Sequence, residues 1–169
     1  MYFASDNAGP AHPKVMEALL KANEGYAMGY GADPIMDDVR AMIRDLFEAP
    51  EAMVHLAATG TAANAIILAT MTKPWETIFC APMSHIHEDE CNAPEFYTGA
   101  KLTLVPAENA KMTPDALRRS LAGEENRGVH GPQRGPVSIT QVTEKGTVHS
   151  LDEIAALTAV AKEFGVKTH

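Results

Sequence analysis

Hydrophobic positions along this chain follow two periods in turn, one near 3.6 and one near 2. Residues 13–23 place Val15, Met16, Leu19 and Leu20 on one face, with Pro13 at a tolerated first-turn position and Gly25 as a terminator, which predicts a helix. After the turn-rich "GYGADP" (29–34), Met36, Val39, Ile43, Leu46 and Phe47 recur at spacings of three and four and predict a second. Short apolar runs at 53–57, 77–81 ("TIFCA"), 102–105 and 136–141 ("PVSITQ") predict strands. Between them, 62–71 is a small-residue helix, and Thr113-Pro114 caps a helix running through Leu121. Ser150 and Glu153 have capping-box spacing ahead of a helix over 152–164 with Ile154, Leu157, Ala161 and Phe164 as its stripe. Gly165 stops that helix, and "VKTH" begins one more strand.

Alternating strands and helices imply an α/β fold, with a mostly parallel sheet covered by helices on both faces. No internal repeat or long linker divides the chain, and its length suggests about one domain. In such sheets ligands sit beyond the carboxyl ends of the strands. Because "VKTH" stops inside a strand element, the expectation is a truncated protein.

Composition narrows the partners. Fourteen Lys and Arg against 22 Asp and Glu give a formal net charge of -8, which argues against bulk attraction to nucleic acid or an anionic membrane. An anionic ligand then requires a local site. No apolar run is long enough to span a bilayer, and the opening "MYFASDNAGPAHPK" lacks signal-peptide character. Cys80 and Cys91 form no disulfide or zinc-binding pattern, so a cytoplasmic setting is expected.

Candidate chemistry gathers in two places. In "HLAATGTAANAIILAT" (55–70) an apolar segment meets Thr59-Gly60-Thr61 and turns at once into a helix. The free N–H groups of a first helical turn attract an anion, and Gly60 permits close approach. Spacing alone leaves two readings open, a phosphate site or simple capping by Thr61. No Walker lysine and no GxGxxG is present. In "SHIHEDEC" (84–91) His85, His87, Glu90 and Cys91 hint at a metal, but the acidic residues read better as a first helical turn, and no metal is expected. His85, just past the "TIFCAP" strand, is best placed to meet a ligand. Ser5 and Asp6 in "ASDNAG", and Tyr30 and Asp33 in "GYGADP", gain interest only if the fold brings them to a pocket.

The segments "FASDNAGPAHPKV", "YGADP", "ATGTAANA", "SHIHEDECNAPEFYTGAKL", "KMTPDALR" and "VSITQVTEKGTVHSLDEIAALTAVAKEFGVKTH" occur in this order. Together they resemble the low-specificity L-threonine aldolases of the β-eliminating lyase group, pyridoxal-phosphate enzymes with an aspartate-aminotransferase-like fold. The resemblance covers essentially the whole chain and implies that residues 1–169 are the N-terminal part of such a lyase, holding most of its cofactor-binding large domain. It implies pyridoxal 5'-phosphate as cofactor and reversible cleavage of L-threonine or L-allo-threonine to glycine and acetaldehyde. Gly60 and Thr61 match the phosphate-cup residues, and His85 matches the histidine stacked on the pyridine ring. Ser5 matches a residue near the substrate carboxylate, and Tyr30 one at the mouth of the site, supplied across a subunit interface in a homo-oligomer, dimer or tetramer.

The family's Asp-Gly-Ala-Arg segment and Schiff-base lysine have no counterparts here, so no lysine is assigned that role. Thr143 stands near a position where many members carry a second histidine, which leaves the catalytic base unassigned. As an isolated piece the chain is expected to be inactive. Two alternatives share the fold: a phenylserine-type aldolase or β-eliminating lyase, and a noncatalytic interaction domain.

Overall fold

A computed structural model describes residues 8–169. The chain divides into two compact units, Met1–Leu56 and Ala57–His169. The division falls within the apolar stretch 53–57, which carries no hydrogen-bonded strand. That corrects the strand expected there. A lone apolar run has no ladder to join unless a neighbouring strand accepts its backbone groups, and none among the described residues does.

The first unit holds two helices. Helix α1 (Pro13–Ala22) starts at His12, whose ring Nδ1 accepts from the Lys14 N–H, and ends at Asn23. Helix α2 (Pro34–Leu46) is capped by Asp33, whose Oδ1 accepts from the Met36 N–H at 3.0 Å. Both carry the apolar stripe read from the sequence, yet neither buries any residue. The Arg40 guanidinium donates to the Gly31 carbonyl and pairs with Asp37.

The second unit is a three-layer α/β structure. It runs α3 (Gly60–Met71), β1 (Glu76–Cys80), α4 (His85–Glu88), α5 (Ala93–Thr98), β2 (Lys101–Leu104), β3 (Ala107–Glu108), β4 (Lys111–Met112), α6 (Pro114–Glu124), β5 (Gln133–Val137) and α7 (Leu151–Glu163). The main sheet has the order β2-β1-β5, and both pairings are parallel. Strands β3 and β4 form a small antiparallel ribbon. Beyond β5 the last residues extend the sheet: Val137 bridges Thr168 in parallel, and His169 N–H donates to the Val137 carbonyl. The strand start read in "VKTH" is therefore present.

Strand β1 lies at the centre and sorts its side chains by alternation. Ile78 and Cys80 point to one face, where they pack with Leu68 of α3 and Ile86 of α4. Phe79 points to the other, joined by Val105, Leu117, Leu121, Val137 and Leu157 from β5, α6, α7 and the loop after β2. Both faces are covered, as expected of a parallel sheet. Burial pushes the Cys80 thiol up to about 11, whereas Cys91 is exposed.

Strand β5 (Gln133–Val137) begins three residues before the strand expected over 136–141. A Cβ on Gly135 would lie 2.6 Å from the Thr77 carbonyl oxygen, so only glycine fits where the two backbones close up. The pairing of β1 with β5 shifts register beside this point, between Thr77 and Phe79. Helix α7 carries the full capping box: Glu153 N–H donates to Ser150 Oγ at 3.1 Å, and Ser150 N–H donates to Glu153 Oε2 at 2.7 Å.

Candidate functional site

Four segments of the second unit deliver polar groups to one place, the carboxyl edge of the parallel sheet. After β1 the chain passes Ala81-Pro82-Met83-Ser84 and opens α4 with His85. After β5 come Ser138 and the loop over 139–149, and the terminal extended segment ends in His169. Helix α3 points its N-terminus at the same edge. Gly60, Asn64, His85, Ser138, Glu144 and His169 line the resulting cleft of about 420 Å³.

The start of α3 is built to leave donors free. Thr59 is the cap, with extended backbone, and its Oγ1 accepts from the Ala62 N–H at 3.1 Å. Ala63 N–H makes the first helical bond, to the Thr59 carbonyl. Helix geometry gives the N–H groups of Gly60 and Thr61 no intrahelical acceptor. The capping hydroxyl is thus that of Thr59, and Thr61 sits half-buried on the second helical position, outside the residues that line the cleft.

Glu90 is the buried centre of the polar cluster. Its Oε1 accepts from Asn64 Nδ2 at 2.6 Å and meets His85 Nδ1 at 2.8 Å, while Oε2 has no hydrogen-bond partner. The carboxylate is inaccessible to solvent, whereas the imidazole is 42% exposed. The Glu90 hydrogen bond is the main cause that holds the His85 pKa above the ordinary histidine value. His169 behaves oppositely: burial pushes its pKa down, against the opposing charge of Glu90. Its Nδ1 lies 2.9 Å from Ser138 Oγ. One cleft therefore holds two imidazoles with opposite leanings toward protonation, the kind of divergence that separates acid from base roles.

Among the site residues read from sequence, Gly60 and His85 line this cleft, with Thr61 next to it. Tyr30 lies in the first unit, lining a separate hollow of about 400 Å³ with Asp33, Arg40 and His55. Ser5 falls outside the described residues. Thr143 is buried in its own turn, its Oγ1 2.7 Å from Thr147 Oγ1, while Gln141, Val142 and Glu144 face the cleft. His85, Asp89 and Glu144 bring ligand-type atoms within 4.8 Å of one another, but both acidic residues are exposed and His85 Nδ1 is engaged by Glu90.

The sequence reading missed Asn64, Ser138 and His169, and saw Glu90 only as a possible metal ligand. A signal existed for two of them. Asn64 stands one turn into the helix of the suspected anion site, and Glu90 lies two residues past the short helix that His85 opens, so both lie near residues already singled out.

Comparison with known proteins agrees with this architecture. Residues 2–169 match the family described as beta-eliminating lyase. The chain is 37% identical over 168 residues to the low specificity L-threonine aldolase of Pseudomonas aeruginosa, a match covering 99% of this chain and 48% of that protein. A second low specificity L-threonine aldolase, from a Pseudomonas species, is 36% identical over the same length. The structure of Leishmania major threonine aldolase superposes with a TM-score of 0.89 at 30% identity, over 95% of this chain and 46% of that one. The chain spans about half the length of the curated relatives it matches. By this match across nearly its whole length, the chain belongs to the beta-eliminating lyase family.

Proposed function

We propose that the cleft binds pyridoxal 5'-phosphate and that the full-length protein cleaves L-threonine or L-allo-threonine to glycine and acetaldehyde. The observation that carries this reading is the meeting of an open helix start and an imidazole on one cleft at the sheet's carboxyl edge. The names of the relatives that are 37% and 36% identical support the substrate.

The residues present fit the cofactor. A Cβ built on Gly60 meets nothing within 4 Å, so the approach to the α3 start is open to a phosphoryl group. The N–H groups of Gly60 and Thr61 and the helix dipole supply the attraction in a chain whose overall charge is negative. A volume of about 420 Å³ lies within the usual range for cofactor and small-ligand sites. When bound, the cofactor supplies an electron sink for the bond broken next to the substrate's amino group. The protein's own part would be placement: the first turn of α3 would hold the phosphate, and the His85 ring would face and orient the heterocycle. In this reading Ser5 and Tyr30 serve the substrate, with Tyr30 supplied across a subunit interface of a cytoplasmic homo-oligomer, a dimer or tetramer.

The test is to add pyridoxal phosphate to the full-length protein and assay acetaldehyde from L-threonine and L-allo-threonine, with phenylserine and serine as competing substrates. Acetaldehyde formation that depends on added cofactor is expected. Benzaldehyde or ammonia as the dominant product would move the reading to the phenylserine-type or eliminating alternative. Turnover of none of the substrates would remove it.

A further inference from the structure

Among the described residues Glu90 is the fully buried carboxylate that touches the cleft's machinery, and nothing in the proposed placement of the cofactor uses it. Among the described residues it makes no ion pair with Lys or Arg. Its two partners come from different elements: Asn64 from α3, one turn past its start, and His85 from the start of α4. Resting on the functional reading above, we infer that Glu90 is the positioning residue of the site. Its Oε1, shared by Asn64 Nδ2 and His85 Nδ1, fixes the imidazole as the Nδ1-protonated tautomer, leaves Nε2 as the free nitrogen, and ties the ring to the anion-binding turn.

The tautomer follows from the donor inventory. An ionised carboxylate only accepts, and one of its oxygens carries enough lone-pair capacity for two donors. The proton between Glu90 and His85 therefore sits on Nδ1, and Nε2 of the neutral ring is an acceptor. Orientation follows from burial. With Oε2 already unmatched, the buried group depends on the two donors at Oε1. Swinging the ring away would leave one of them missing, at the cost of an under-solvated charge. The ring is thereby held in place although it is partly exposed. Distance between the phosphate donors and the ring is set the same way, since Asn64 stands four residues after Gly60 on the same helix.

The groups that act on His85 are Glu90 by hydrogen bond and charge, Asp89 just past α4, and Glu144 from the loop after β5. All are acidic and favour the protonated ring, with Glu90 first. Glu90 also acts on His169, whose Nδ1 is beside Ser138. One buried carboxylate thus conditions both imidazoles of the cleft.

The experiment is a ring-nitrogen NMR titration of the full-length protein without cofactor, comparing the unchanged protein with Glu90→Gln and Asn64→Ala. The unchanged protein is expected to show His85 protonated at Nδ1 when neutral. Glu90→Gln keeps the shape and removes the charge, so the His85 midpoint moves to lower pH and the Nδ1 preference weakens. Asn64→Ala leaves the carboxylate on His85 and keeps the tautomer. Replacing charge-assisted hydrogen bonds by neutral ones weakens the hold on the ring, so pyridoxal phosphate is expected to bind Glu90→Gln more weakly than the unchanged protein. An Nε2-protonated ring in the unchanged protein, or an unmoved His85 midpoint in Glu90→Gln, overturns the proposal. Should Glu90→Gln fail to fold, the tautomer of the unchanged protein decides alone. Failure of that protein to bind pyridoxal phosphate would refute the functional reading, and the cofactor-free titration would still decide the role of Glu90.

Discussion

Helices α1 and α6 both carry an apolar stripe at helical spacing, yet they end in opposite conditions. Helix α6 buries Ala116, Leu117 and Leu121 against β1, β5 and α7. Helix α1 leaves Val15 at 51%, Leu19 at 58% and Leu20 at 73% exposure, and α2 buries nothing either. A stripe specifies which face a helix offers, and only a sheet or a second layer turns that offer into burial. The second unit supplies such layers within itself. The first has two helices and no sheet among the described residues, and its stripes stay exposed.

The contrast can be broken or sharpened by substitution. Phe79→Ala, which empties the centre of the larger core, is expected to cost about 3–5 kcal/mol in chemical denaturation. Gly135→Ala comes next, at about 1–3 kcal/mol, because its methyl group must displace the Thr77 carbonyl. Ser150→Ala removes the capping hydroxyl of α7 and costs about 1 kcal/mol, measured in the same way. Leu19→Ala is expected to stay within about 0.5 kcal/mol in dilute, dissociated protein. A larger and concentration-dependent cost, read by denaturation at several protein concentrations, would show the α1 stripe covered in an assembly.

Acid sharpens the comparison differently. Burial holds His149 and His169 below the ordinary histidine pKa, and neither ring nitrogen of His149 has a hydrogen-bond partner. The unfolded chain takes up their protons more readily than the folded one, so stability falls as pH drops through about 6.5. His85 has the opposite sign: its raised pKa contributes stability that is full below that value and fades as pH rises through the folded pKa. A denaturation series from pH 8 to 5 should therefore show a falling acid limb that flattens in His149→Phe.

Much of the second unit was legible from sequence because its signals are local. The Thr113-Pro114 helix start, the Ser150–Glu153 box and the apolar "TIFCA" run each encode their own geometry over a few residues, whereas the cap of α3, read as Thr61, falls on Thr59. The start of β5 was hidden because its requirement is nonlocal: Gly135 looks like loop glycine until the Thr77 carbonyl is seen beside it. The apolar run 53–57 misled for the converse reason, since a strand needs a neighbour that its own residues cannot announce. In the site, His85 and Gly60 stood out by chemistry. Glu90 did not, because an acidic residue among Glu88 and Asp89 reads as solvated surface until its burial is known. His169 and Ser138, far apart in sequence, meet because the parallel bridge between Val137 and Thr168 sets them side by side.

The two cysteines differ in a way that experiment can exploit. Cys80 is sealed inside the sheet with its thiol pushed to about 11, while Cys91 is exposed and follows Glu90 directly in the chain. A maleimide dye at neutral pH should mark the second thiol selectively. The label would then sit one residue from the carboxylate strut, an optical reporter of cleft occupancy that needs no engineered attachment point.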